Sequence, residues 1–205
     1  MTTGLRRRIF VLQVGLIGIL GFVAGFLFWG NSFVHGQVSD ELTAQQISVP
    51  AIGSPGFDAK TLGTTQYTDL SQYAGQAVTT GPQAQAYAND YINVHLQKVA
   101  AGKTYSQVSG ALIAEQAKPT PDAKTVATLT GQRTTLFMGE TLRGLLLNAY
   151  GWWQVGQYAF YAAVGLTVAA GAVLGALVFE VVLWRRKATE RIRPIPSTVP
   201  RPAAS

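Results

Sequence analysis

The chain has no cysteine and only two histidines among its 205 residues. The first absence excludes disulfides, thiol chemistry and cysteine-ligated metals. The second leaves His35 and His95 as the only imidazoles, and no local spacing joins either to an acid in a two-His-one-carboxylate set. His95 falls on the apolar face of a predicted helix, where a lone histidine reads as a hydrogen-bonded core residue. A Gly-x-Ser-x-Gly elbow and a phosphate-binding glycine loop are also missing. Gly171-Ala-Val-Leu-Gly175 sits inside an apolar run and cannot cradle phosphate. No catalytic residue, cofactor or metal site is expected.

Charge is scarce too, at 13% of residues, and two long stretches contain almost none. Residues 9–29 have Gln13 as their one clearly polar member. The second stretch is densest over 158–184, where Glu180 is the one ionisable side chain. About 20 apolar residues cross the hydrocarbon core, so each is long enough to span it. Arg6, Arg7 and Arg8 precede the first; Arg185, Arg186, Lys187, Arg191 and Arg193 follow the second. Basic residues stay inside, so both termini are expected in the cytoplasm of a cell-membrane protein with its middle outside. Phe28, Trp29, Trp152, Trp153, Tyr158 and Tyr161 mark the outer interface and Trp184 the inner one. Glu180, beside Arg185, reads as a snorkelling structural acid. Arg7-Arg8-Ile9-Phe10-Val11 resembles a twin-arginine export signal. The apolar run is too long for a signal h-region and no A-x-A-like site follows Trp29, so an uncleaved anchor is expected.

The expected fold is all-α: two transmembrane helices bracketing a mostly helical, loop-containing extracytoplasmic domain. Its parts are a basic N-terminus (1–8), a first span (9–29), an outer domain (30–151), an interfacial aromatic segment with the second span (152–184), and a tail (185–205). The tail's Pro-rich stretch from Arg193 reads as disordered or polyproline-like. Net charge is +6, yet residues 30–150 hold eight acids against seven bases. The outer domain has no basic excess for nucleic acid. The basic ends instead face anionic lipid.

Within the outer domain, residues 30–82 read as mostly irregular, with a helical turn or two over 40–46 and an extended piece from Ile47 to Pro50. Asp69 reads as the cap of a short helix stopped at Gly75. A clear helix spans about 83–101, opened by Pro82 and closed by Gly102. Its buried face would carry Ala84, Tyr87, Ala88, Tyr91, Ile92, His95 and Val99, with Gln83, Asn89 and Asp90 opposite. Another helix covers 106–116, and a long one capped by Asp122 runs almost unbroken into the second span. Few Leu, Ile or Phe precede residue 126, which implies a thin core.

Gly21-x-x-x-Gly25 and Gly171-x-x-x-Gly175 place small residues where helix backbones approach closely in lipid. All four glycines are expected at helix-packing contacts, between the spans or with a partner. Arg133, Glu140 and Arg143 share one side of the long helix with Leu129, Leu136, Phe137 and Leu147. Glu140 and Arg143 make a usable i,i+3 pair, and the three are candidate contacts to a partner subunit or lipid phosphate.

The run Leu70-Ser-Gln-Tyr-Ala-Gly-Gln-Ala-Val-Thr-Thr-Gly-Pro is followed by Ala86-Tyr-Ala-Asn-Asp-Tyr-Ile-Asn-Val-His-Leu and Gly102-Lys-Thr-Tyr-Ser. Together with the hairpin topology these resemble a group of actinobacterial two-span membrane proteins. Many members of that group are labelled subunits of an aromatic ring-opening dioxygenase, a chemistry that the residues here do not support. Other small two-span proteins of the lineage are accessory subunits of membrane complexes, including the cytochrome bcc–aa3 respiratory assembly. The resemblance implies topology and lineage, with membrane lipid and a membrane-protein partner as the expected contacts. The expected function is a non-enzymatic accessory or scaffold subunit. The alternative is an envelope module that binds lipid, glycan or peptide.

Single cysteines test the topology with a membrane-impermeant thiol reagent on intact cells. Gly110→Cys should label, and Thr3→Cys and Ser205→Cys should not. The reverse pattern would overturn the inside–outside assignment.

Overall fold

A computed structural model describes residues 3–191. The Pro-rich tail, and the side chains of Lys187, Arg191 and Arg193, lie outside the described residues. The elements in chain order are α1 (Thr3–Ala44), α2 (Ala59–Leu62), α3 (Thr64–Ser71), α4 (Gly81–Ala86), a π-helical turn (Tyr87–Ile92), α5 (Asn93–Val99), α6 (Tyr105–Gln116) and α7 (Ala123–Arg191). Among the described residues the sole β feature is an antiparallel bridge between Ser48 and Ala77. The all-α class is observed, and α1 and α7 are both long and apolar enough to cross a membrane. The chain divides into two compact units. One draws on the first 28 residues and those from Tyr161 onward; the other is the helical domain Trp29–Phe160.

In the first unit Leu12, Phe22, Val168 and Phe179 are all exposed, a surface that suits hydrocarbon better than water. The buried residues of this pair are Ala24, Ala163 and Leu177. A Cβ placed on Gly21, Gly25, Gly171 or Gly175 would meet nothing within 4 Å. Among the described residues, therefore, no close contact is made at these glycines.

The domain departs from expectation at its first segment. Residues 30–44 are not irregular; they continue α1 without a break. Gly30 and Gly36 each cost roughly 1 kcal/mol of helix propensity. Packing overrides that cost, because Val34, Val38 and Leu42 recur at i, i+4 and the last two are buried. The helix ends only where Gln46 takes φ 53°. Ile47 and Val49 then pair with the strand-like segment 76–78: Val78 N donates to Ile47 O at 2.8 Å and Val49 N to Gln76 O at 2.9 Å. Asp69 does not cap a helix; it lies in the last turn of α3, which begins after Gly63 at φ 97°. The predicted turn at Gly75 does take a positive φ, 72°.

Residues 81–99 form the predicted helix with one irregularity that changes its buried face. Ala84, Ala88, Ile92, Leu96 and Ala100 are buried at a strict spacing of four. In an ideal α-helix each such step drifts about 40°, or about 160° over the five positions. The wider π turn at Tyr87–Ile92 absorbs that drift and keeps all five inward. Val99 consequently points out, and Leu96 takes the place expected of it. Gln83, expected on the polar face, is buried as well. It forms a capping box with Thr80, and its Oε1 also accepts from Thr79 N at 2.9 Å.

Helices α6 and α7 start as the sequence implies. Thr104 and Gln107 form a second capping box, and Asp122 accepts from Thr125 N at 3.0 Å. The core is small, as expected: its largest fully buried side chains are Phe57, Leu70 and Leu112, followed by valines. Close backbone approach makes up for some of that thinness. A Cβ on Gly81 would overlap Trp153 Cβ and Cγ, and one on Gly139 would overlap the Leu96 side chain.

Gly81→Ala should therefore destabilise the domain by about 1–3 kcal/mol, because Trp153 Cβ is fixed to its backbone and cannot yield. Gly131, with open space around it, is the control; Gly131→Ala should be neutral or stabilise by up to about 1 kcal/mol. Thermal unfolding in mild detergent distinguishes the two. Equal melting temperatures would mean that the Gly81–Trp153 approach is not a packing constraint.

Candidate functional site

An apolar groove of about 490 Å³ lies between residues 33–45, the end of α1 and the turn after it, and the 142–152 stretch of α7. Val38, Leu42 and Leu146 form a buried floor. Phe33, Leu145 and Trp152 stand exposed along the rims. One rim is polar: Gln37 and Glu41 of α1 are followed by Gln45 in the turn after it, and Gln37 Nε2 donates to Glu41 Oε1 at 3.3 Å. Glu41 is the one charged residue of the lining. A groove of this kind can hold apolar matter.

Beside it, α1 and α7 are locked by a contact that sequence reasoning missed. His35 was expected in an irregular segment; it lies in α1, stacked on Trp153 with ring centroids 3.9 Å apart and planes 8° from parallel. Its Nε2 lies 3.0 Å from Trp153 O, so that nitrogen donates. A Cβ on Gly156 would come within 2.8 Å of the imidazole and 3.6 Å of Asn31 O. The available signal was the pairing of Asn31 and His35 at i,i+4 opposite a glycine, legible only if α1 is known to continue past Trp29.

His95 is far from that contact in sequence and has its own partners. Its Nδ1 donates to Tyr91 O at 2.8 Å, and its ring leans on Tyr91 at 4.4 Å, which in turn stacks on Tyr87 at 5.1 Å. This aromatic ladder follows the π turn. Among the described residues no cluster of three or more His, Asp or Glu side chains could hold a metal ion.

The charged trio is only partly assembled. Arg143 pairs with Glu140 at 3.2 Å and reaches back to Asn89 Oδ1 at 3.3 Å, so α7 is tied to the π turn. Arg133 is half-buried and joins neither. An acid that the sequence did not single out, Glu115, is buried at the α6–α7 turn. It pairs with Lys118 at 2.5 Å and accepts from Asp122 N at 3.1 Å. The Lys118 hydrogen bond, with that backbone donor, holds its carboxyl below the usual range.

Comparison with known proteins returns no matching family model, no matching curated protein and no matching solved structure.

Asp90, in the π turn, has its carboxyl pushed up, first by burial and then by the negative charge of Asp69. Its folded form binds a proton more readily than the unfolded chain, so it adds stability in acid. That contribution fades as pH rises through the raised value. Asp90→Asn should therefore raise the melting temperature at neutral pH, and the gain should shrink toward about pH 4, near the ordinary Asp value. A gain that is constant across the pH series would rule out titration of Asp90 as its cause.

Proposed function

We propose that this chain is a non-enzymatic accessory or scaffold protein of a cell-membrane complex, anchored by both long helices with its termini in the cytoplasm. The observation that carries the reading is the pair of open glycine faces. Gly21, Gly25, Gly171 and Gly175 meet nothing within the chain, while small residues at this spacing are where helices associate in lipid. Surfaces left open on both spans suit a membrane-protein partner. The resemblance to actinobacterial two-span proteins makes a respiratory assembly the first candidate.

The helical domain supports the same reading in a second way. Helices α1 and α7 each run from an apolar segment into the domain without a break in the helix. Glu140 and Arg133 remain the candidates for partner or lipid contact, whereas Arg143 is engaged within the domain. The envelope-binding alternative draws its support from the groove.

Because the four glycines are open among the described residues, Gly25→Leu and Gly171→Leu should leave its unfolding free energy unchanged within about 0.5 kcal/mol. They should release the co-purifying partner in mild detergent, and Leu174→Ile serves as the control. Retention of the partner by both leucine variants would refute the scaffold reading at these faces.

A further inference from the structure

We draw no further inference here: the strongest candidate, the apolar groove between the end of α1 and the 142–152 stretch of α7, carries nothing because nothing in the structure shows what covers it.

Discussion

Trp153 sits where three helical elements of the domain meet, and the rest of the domain is arranged around it. On one side its Cβ and Cγ lie where a Gly81 side chain would stand, at the first turn of the 81–99 helix. On another its ring stacks on His35 and its carbonyl accepts from the same imidazole. Gly156, one turn on, lets α1 come that close. Aromatic stacking contributes about 0.5–1.5 kcal/mol beyond buried area, and a neutral hydrogen bond about the same. Neither is large. The constraint is geometric: glycine at 156 lets the His35 ring of α1 approach α7, and glycine at 81 lets α4 approach the same helix at Trp153.

The π turn has an equivalent role on the far side of the core. A domain with few large apolar residues needs every small one inward, and Ala84, Ala88 and Ala100 contribute only if they share a face with Ile92 and Leu96. An undisturbed α-helix would rotate some of them into solvent. The extra residue in the turn prevents this, and Arg143 reaching to Asn89 ties α7 to the turn. Turns of this type often occur at functional sites; here the visible consequence is alignment of the core.

Together these features describe a domain with a small core and close approaches between its helices. Its histidines each point at a backbone carbonyl, its best-buried acid closes a helix–helix turn, and its concave face is apolar.

Much of this was legible in the residues. The two apolar runs, the Pro82 start, the positive φ at Gly75 and Gly102, the Asp122 cap and the unbroken length of α7 follow from local chemistry: hydropathy, proline's fixed φ, glycine's freedom and a carboxylate's reach to nearby N–H groups. These depend on neighbours within a few positions. What lay hidden depends on residues far apart. Gly30 and Gly36 argue locally for a break after Trp29, and only the burial of Val38 and Leu42 overrides them. Gln83 looks like surface until Thr79 and Thr80 fold onto it. The glycines with the most conspicuous spacing, Gly21, Gly25, Gly171 and Gly175, touch nothing in the chain. Gly81, Gly139 and Gly156, which belong to no small-x-x-x-small pair, make close approaches to side chains of other helices. The sequence by itself determined the helical class, the two apolar runs and the helix starts at Pro82 and Asp122, because those energies are local. Tertiary structure decided which small residues are contacts, because close approach depends on what another helix brings to the same place.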